Sequence, residues 1–300
     1  MTENRFQSAF TVDVECGLSL AMRDSYGVDM SPTERVVSNT DQILELLSLK
    51  GIKGTFFILG SVAEHYPELV KRIAANGHEP GVHGYNHYEF SLMTEKEAFT
   101  ELDRAKKLIE DLTGCQVRGH RAPAFSINEN TKWGLDVIKR VGFEYDSSVM
   151  PIRSARYGWP GFGDQIRQIE TPNGQYLIEA PLTTSKLFFM EIPASGGRYF
   201  QILPYPYLKR KMKEIERSRP FIFYMHPYEI DTTPYPEFYQ SELKKAGFRK
   251  KVRTKIRRLN RGKTFSKLER LTSDFSFVPL YQIIAGRLPE LTLSEEKECL

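Results

Sequence analysis

Short apolar runs alternate with longer amphipathic stretches along most of the chain, and turn residues separate them. The clearest apolar runs cover residues 9–12, 55–59 and 221–225, and their aromatic and β-branched residues favour strands. Between the first two runs, apolar residues recur at helical spacing from residue 43 to 47, and Gly51 follows as a stop signal. The pattern predicts an α/β fold with a parallel sheet, either a barrel or an open doubly wound sheet.

Capping signals predict where two further helices begin. Ser61 with Glu64, and Thr94 with Glu97, have the spacing of a capping box, in which each side chain binds a backbone N–H of the other residue. The second of these helices is expected to end at Gly114, because glycine is the usual residue just beyond a helix C-terminus.

Composition narrows the class of protein. A chain of 300 residues with 40% hydrophobic content can bury a large core, and one large domain fits as well as two small ones. The three scattered cysteines, Cys16, Cys115 and Cys299, argue against a disulfide framework and for a reducing compartment. Residues 1–5 lead into the first strand without an apolar signal region, and no 18-residue apolar span follows, so we expect a cytoplasmic protein.

The segment from residue 83 to 87 carries the strongest candidate chemistry. His83 and His87 are four residues apart, and the intervening Gly84 and Asn86 are poor helix formers, so we expect the histidines on a turn. Two such imidazoles can hold one divalent metal ion, and a carboxylate from elsewhere can complete a three-ligand catalytic site. The alternative is a hydrogen-bonded pair that caps a turn.

Asp13 and Glu15 close the first predicted strand. Side chains at i and i+2 of a strand point the same way, so both carboxylates should face one site, as a general base and a metal ligand for metal-assisted hydrolysis would. They could instead merely accept turn hydrogen bonds, but two buried acids need compensation. A metal ion would supply it, together with Arg121, which follows a predicted strand and is expected to hold Asp13 in a charge-assisted pair.

Four motifs in order resemble the polysaccharide deacetylases, carbohydrate esterase family 4. They are residues 11–15 (TVDVE), His83 with His87, residues 121–123 (RAP) and residues 225–227 (MHP). The resemblance is closest to a bacterial branch associated with exopolysaccharide gene clusters, and residues 179–181, 196–200 and 226–231 also match it. It extends from about residue 9 to about residue 285. Each motif alone is weak, whereas the four in this order are specific together.

The resemblance implies a distorted, incomplete (β/α) barrel. We expect residues 1–235 to form this catalytic barrel and residues 236–300 to form a basic, mainly helical extension packed on it. It implies Asp13 as the general base and Zn²⁺, or another divalent transition metal, held by Glu15, His83 and His87. The usual family motif has two adjacent aspartates, and Val14 separates the acids here, so the assignment with Asp13 and Glu15 exchanged is the alternative.

The resemblance also implies the remaining roles. His226, at the end of a buried strand, would be the general acid rather than a core histidine, and Asp146 is a candidate partner for it, or else a simple turn acid. A backbone N–H just after Pro123, that of Ala124, would help to bind the oxyanion. We expect His78 to orient the histidine turn from behind. His65 and His120 carry no special signal, and we predict them to be surface or packing residues.

The segment from residue 244 to 270 holds thirteen Lys or Arg residues against one acid, Glu269. Apolar residues recur within it at helical spacing, which predicts one face packed on the barrel: Phe248, Val252, Ile256 and Leu259. The charge is typical of a solvated face, or of a face turned to an anionic polymer, membrane surface or nucleic acid. We do not expect nucleic acid, because no recognised binding fold accompanies the charge.

Together, these residues predict a metal-dependent N-deacetylase. Its substrate would be an acetamido sugar in a bacterial polysaccharide or oligosaccharide, or in a lipid- or nucleotide-linked precursor, with peripheral contact at the inner membrane face. A metal-free amidohydrolase of the same fold and a non-catalytic carbohydrate-binding protein are the alternatives. Metal content separates the first two, and release of acetate separates either from the third.

Overall fold

The computed structural model describes residues 6–154, 157–187 and 190–293. Nine of its strands form one sheet and two form a separate hairpin. The strands are β1 (Ser8–Val14), β2 (Thr55–Ile58), β3 (Glu79–Val82), β4 (Gly119–His120), β5 (Tyr145–Asp146), β6 (Arg167–Glu170), β7 (Tyr176–Glu179), β8 (Thr184–Leu187), β9 (Met190–Pro193), β10 (Ile222–Met225) and β11 (Phe277–Val278).

The large sheet is parallel over most of its width. Its order is β10-β1-β2-β3-β4-β5-β7-β6, in which only β6 runs antiparallel to its neighbour, and β11 pairs with the start of β1. The sheet curls, but its end strands β10 and β6 do not pair with each other in the described ranges, so the barrel is incomplete. The prediction of an α/β fold with a distorted, incomplete barrel is confirmed.

Helices connect and cover the strands. They are α1 (Gly17–Tyr26), α2 (Arg35–Leu49), α3 (Gly60–His65), α4 (Pro67–Ala75), α5 (Glu95–Thr113), α6 (Gly134–Val141), α7 (Gly197–Ile202), α8 (Tyr205–Glu216), α9 (Glu237–Lys245), α10 (Phe248–Arg257), α11 (Arg261–Asp274) and α12 (Leu280–Leu293). Single 3₁₀ turns lie at residues 90–92, 123–125 and 227–229. Within the described residues, no helix is both long and apolar enough to cross a membrane.

One of the two predicted capping boxes is present. Thr94 accepts a hydrogen bond from the Glu97 N–H, and Glu97 accepts one from the Thr94 N–H, so that box is confirmed at the start of α5. The box predicted for Ser61 is wrong. The N-cap of helix α3 is Leu59, two residues earlier, and the N–H groups of Gly60 and Ser61 bind the carbonyl oxygens of residues 84 and 85.

Strand β1 lies at the centre of the core. All seven of its residues are buried between β10 on one side and β2 on the other. The Phe10 ring lies 5.2 Å from Phe223 of β10 and 5.5 Å from Phe277 of β11, centroid to centroid. Because β1, β3, β4 and β10 run in parallel, their C-terminal ends share one edge of the sheet.

The C-terminal segment returns to this sheet. Helices α9, α10 and α11 follow residue 236, and β11 then pairs with β1, so the end of the segment is tied to the barrel. The predicted boundary between residues 235 and 236 stays a prediction.

The prediction that the apolar residues of α10 pack on the barrel is wrong. Phe248 is 81% exposed, and Val252, Ile256 and Leu259 are 37%, 44% and 46% exposed. Thr254 occupies the buried side of the helix instead, and its hydroxyl lies 3.4 Å from that of Tyr239.

Candidate functional site

A cavity of about 280 Å³ opens at the C-terminal ends of the parallel strands. Most of the residues that the sequence analysis singled out lie around it: Asp13, Glu15, His83, His87, Ala124 and His226. Asp13 belongs to β1, Glu15 and His83 come directly after β1 and β3, and His226 follows β10. Neighbouring parallel strands therefore bring together groups that lie up to about two hundred residues apart in sequence.

Glu15, His83 and His87 form a candidate metal centre. One ligand atom from each lies within 4.8 Å of the other two. Glu15 Oε2 is 2.7 Å from His87 Nε2 and 3.5 Å from His83 Nε2. Although this oxygen is buried, it has no hydrogen-bond partner. A carboxylate and two imidazoles are a donor set that suits Zn²⁺ and similar ions, so the residues fit the metal that the sequence predicts.

Contacts behind the ligands fix both imidazoles. His83 Nδ1 donates to the carbonyl of Arg121 at 2.8 Å, which leaves Nε2 free to face Glu15. Arg23 of α1 donates to the carbonyls of Asn86 and His87 at 2.6 and 3.0 Å and so holds the histidine turn in place.

The pKa of Glu15 reflects this surrounding charge. Burial by itself raises that pKa, because a carboxylate loses its hydration. Interactions with His87, His226 and His83 together outweigh burial and hold the pKa of Glu15 well below its usual value. The carboxyl group is therefore in the ionised form that a metal ligand needs.

Asp13 is paired with Arg121, as the sequence predicts. Arg121 Nη1 donates to Asp13 Oδ1 and to Thr11 Oγ1, both at 2.8 Å. Its other nitrogens donate to the backbone carbonyl and the hydroxyl of Ser147 at 3.1 and 2.9 Å. The guanidinium is completely buried and lies 4.3 Å from the Phe57 ring centroid. These contacts hold the Asp13 carboxylate in one orientation.

The second oxygen of Asp13 faces the cavity. Asp13 Oδ2 is buried, has no hydrogen-bond partner, and lies 3.8 Å from His226 Nε2. His226 Nε2 is also 3.6 Å from Glu15 Oε1. An acid and an imidazole with unpaired atoms on the same cavity form a suitable arrangement for proton transfer.

The partner of His226 is Glu229, not Asp146. His226 Nδ1 lies 2.8 Å from Glu229 Oε1, because the 3₁₀ turn at residues 227–229 brings this acid back under the ring. Burial lowers the pKa of His226, but the charges of Glu15, Glu229 and Asp13 outweigh it and raise that pKa to about 9. Sequence reasoning missed Glu229, although its i+3 spacing after His226 was visible.

Asp146 belongs to a separate buried cluster, and its predicted role beside His226 is wrong. Asp146 Oδ1 lies 2.8 Å from His120 Nδ1 and accepts a hydrogen bond from the Ser148 hydroxyl at 2.6 Å. The Ser148 oxygen in turn accepts from the N–H of Ala122 at 2.7 Å. The cluster thus supports the backbone just after Arg121. His120 is buried, so of the two placements predicted for it, surface or packing, the structure has the packing one.

His78 does not orient the histidine turn. Its Nδ1 accepts from the N–H of Gly54 at 3.1 Å and joins the starts of β2 and β3, at the opposite end of these strands from the cavity. Burial, assisted by the charge of Lys53, lowers the pKa of His78 to about 4. The ring is therefore neutral at pH 7, as an acceptor nitrogen requires. His65 is exposed, which is the surface placement of the two predicted for it.

Tyr228 supports the ring of His226, and sequence reasoning did not find it. The two rings stack with centroids 4.9 Å apart and an interplanar angle of 18°. Gly17 packs against the Tyr228 ring, and a Cβ at position 17 would lie only 2.5 Å from Cγ of Tyr228. A glycine at position 17, two residues after Glu15, is thus needed for the Tyr228 ring to fit.

The backbone around the cavity is strained. Among the described residues, four that are not glycine have positive φ, and three of them line the cavity: His87, Ala124 and Phe125, with φ of 61°, 53° and 51°. L-residues rarely adopt this conformation, and such strain concentrates at functional sites. Ala124 lies on the 3₁₀ turn at residues 123–125, and its predicted role as an oxyanion donor stays a prediction.

Known proteins are similar to this chain in sequence. Residues 27–145 match the family model described as polysaccharide deacetylase, and residues 147–285 match a domain of unknown function (DUF3473). A peptidoglycan-N-acetylglucosamine deacetylase of Bacillus cereus is 29% identical over 172 residues, which is 53% of this chain and 60% of that protein. A peptidoglycan deacetylase of Helicobacter pylori is 34% identical over 195 residues, 63% of this chain and 61% of that protein.

A solved structure shows the same fold. The putative polysaccharide deacetylase from Mycobacterium smegmatis superposes with a TM-score of 0.63 at 20% identity, over 97% of this chain and 93% of that one. The chain thus contains a polysaccharide deacetylase domain over residues 27–145, which confirms the resemblance that its motifs indicate. It spans about three fifths of the length of the two curated relatives.

Proposed function

We propose that this protein is a metal-dependent hydrolase that removes N-acetyl groups from acetamido sugars of a bacterial polysaccharide or its precursor. The observation that carries the proposal is the meeting of Glu15, His83 and His87 with Asp13 and His226 around one cavity. The curated relatives, named as deacetylases of peptidoglycan, support the reaction class.

In this proposal, Glu15, His83 and His87 hold Zn²⁺ or another divalent transition metal. Such an ion supplies a Lewis acid that activates water and polarises the acetyl carbonyl. The histidine contacts behind the site orient both Nε2 atoms toward the same carboxylate, and Glu15 and His83 are buried while His87 is partly buried.

The chain's own residues then move the protons. Asp13 Oδ2 accepts a proton from the attacking water, because Arg121 binds only the other oxygen. A C–O bond forms at the acetyl carbon, and the N–H of Ala124 would donate to the developing oxyanion. His226 is oriented by Glu229 and delivers a proton from Nε2 to the sugar nitrogen as the C–N bond breaks. The products are acetate and an amino sugar.

Metal content tests the ligand set directly. We expect the purified protein to contain about one zinc-like ion per chain by elemental analysis, and His83→Ala to lose most of it, because two ligands seldom hold such an ion tightly. His65→Ala is the matched control, since His65 is exposed and outside the site. Equally low metal in wild type and H83A would favour the metal-free amidohydrolase.

The cavity mouth favours a negatively charged substrate. Arg198 and Arg257 both line it, and Arg257 pairs with Asp24 at 2.9 Å. Arg198 is exposed, and no carboxylate among the described residues lies within ion-pair distance of it. A phosphate next to the acetamido sugar, as in a lipid- or nucleotide-linked precursor, would provide the missing partner.

Arg198→Gln should therefore remove the preference of the enzyme for a negatively charged substrate. We expect the ratio of kcat/KM for N-acetylglucosamine 1-phosphate to kcat/KM for the neutral methyl glycoside to fall about 10- to 100-fold in R198Q. Lys96→Gln removes the same charge from an exposed position outside the cavity and should leave the ratio as in wild type. An unchanged ratio in R198Q would count against a phosphate-linked substrate.

A linked precursor would be assembled in the cytoplasm, at the inner membrane face, and we propose that the protein works there. The thirteen basic residues between 244 and 270 support contact with an anionic membrane surface.

A further inference from the structure

Helix α10 turns its apolar side away from the barrel. Phe248, Val252 and Ile256 recur every four residues, so they fall within an arc of about 80° on the helix surface. They are 81%, 37% and 44% exposed, and Leu259, just beyond the helix, is 46% exposed. We call these four residues the apolar stripe. Their side chains expose apolar surface to water.

The buried side of α10 is polar instead. Thr254 is 6% exposed and contacts Tyr239 through its hydroxyl. Lys250 lies 5.1 Å above the Tyr26 ring, and Arg258, just after the helix, donates to two backbone carbonyls at 2.9 and 3.0 Å. The helix is thus held on the protein by polar and cation–π contacts, which leaves the apolar stripe for a partner.

Basic residues flank the apolar stripe on both sides. Arg249 lies on one side, and Lys251 and Lys255 lie on the other, and all three are exposed. An outward apolar stripe between Lys and Arg side chains is typical of a helix that lies in the plane of an anionic membrane. A second copy of this chain is a poor occupant, because its identical basic residues would be brought together.

Helix α10 also lies at the entrance to the catalytic cavity. Arg257, in its last turn, lines the cavity and is held by Asp24 of α1. We infer that the apolar stripe inserts into the headgroup region of an anionic bilayer and that the cavity mouth then lies beside the membrane surface. A cavity mouth beside the membrane would admit an acetamido sugar on a lipid carrier, and this last step rests on the proposed function.

Vesicle binding tests the insertion. The full chain should sediment with vesicles of equal parts phosphatidylglycerol and phosphatidylcholine, and the double variant Phe248→Gln/Ile256→Gln should bind at least about tenfold more weakly. The matched control is Leu49→Gln/Leu92→Gln, which changes two apolar residues that are 77% and 72% exposed elsewhere on the surface. Lys251→Gln/Lys255→Gln should weaken binding mainly at low salt.

Three outcomes would overturn the inference: no binding by the wild type, equal binding by wild type and F248Q/I256Q, or equal losses in F248Q/I256Q and the control L49Q/L92Q. A dimer that F248Q/I256Q converts to monomer in sedimentation velocity would identify a second copy as the occupant and also overturn it. Hydrolysis of the soluble methyl glycoside, measured in parallel, separates the two proposals. Vesicle binding without acetate release would reject the proposed function alone, whereas acetate release without vesicle binding would reject this inference alone.

Discussion

Asp13→Asn should lower the turnover of an acetamido sugar by about 10²–10⁴-fold, the range expected when a general base is removed. The asparagine has nearly the same shape and keeps an oxygen for Arg121, but it cannot take a proton from water. The buried, unpaired Oδ2 of Asp13 is the atom that the change disables. Acetate release from a soluble acetamido sugar is the measurement, and a circular dichroism spectrum like that of the wild type shows that the fold is intact.

Metal content of D13N decides between the two assignments of the acids. If Asp13 is the base, the variant keeps its metal and loses turnover. If Asp13 is the ligand and Glu15 the base, metal content falls as well. His226→Gln should lose turnover by a similar factor and keep its metal, since His226 lies outside the three-ligand group. Near-normal turnover by D13N or H226Q would remove that residue from the mechanism.

Arg121→Met should destabilise the fold by about 3–5 kcal/mol, the cost of breaking a buried ion pair from one side. The substitution keeps an apolar stem above Phe57 but removes every donor of the guanidinium. Asp13, Thr11 and Ser147 would lose partners in a fully buried site. The free energy of unfolding, measured by urea titration, is the readout.

Arg72→Met is the matched control for this change. Arg72 pairs with Asp41 at 3.0 Å, but both side chains are more than 40% exposed, and such a pair contributes about 0–1 kcal/mol. A loss in R121M no larger than that in R72M would contradict the view that Arg121 organises the site. A variant that fails to fold at all would agree with it, provided that R72M folds normally.

Local patterns determine the strands and most of the chemistry. The apolar runs of β1 and β10 are recognisable because both strands are buried on both faces and read as continuous hydrophobic segments. The pairing of Asp13 with Arg121 is predictable because buried charges must be compensated and Arg121 follows a predicted strand. The candidate metal site follows from the spacing of two histidines on a turn and from two acids on one face of β1, whereas the choice of Glu15 as the ligand comes from the family resemblance.

The contacts that support a candidate site residue from behind are harder to infer from the sequence. The sequence offers both Asp146 and Glu229 as acids near a strand end, and only the path of the 3₁₀ turn after His226 shows that Glu229 is within reach. The close fit of Gly17 to Tyr228 is likewise a contact between distant segments.

The sequence by itself determined the α/β class, the helix spacing of the basic segment and the residue types of the candidate metal and proton-transfer groups, since these depend on periodicity and charge along a local stretch of chain. Only the tertiary structure decided which acid supports His226 and which side of α10 faces water. An amphipathic pattern specifies that a helix has two faces, but the surface against which the helix docks selects the buried one. Here Thr254, Lys250 and Arg258 make the contacts with the protein, and the apolar stripe remains outside.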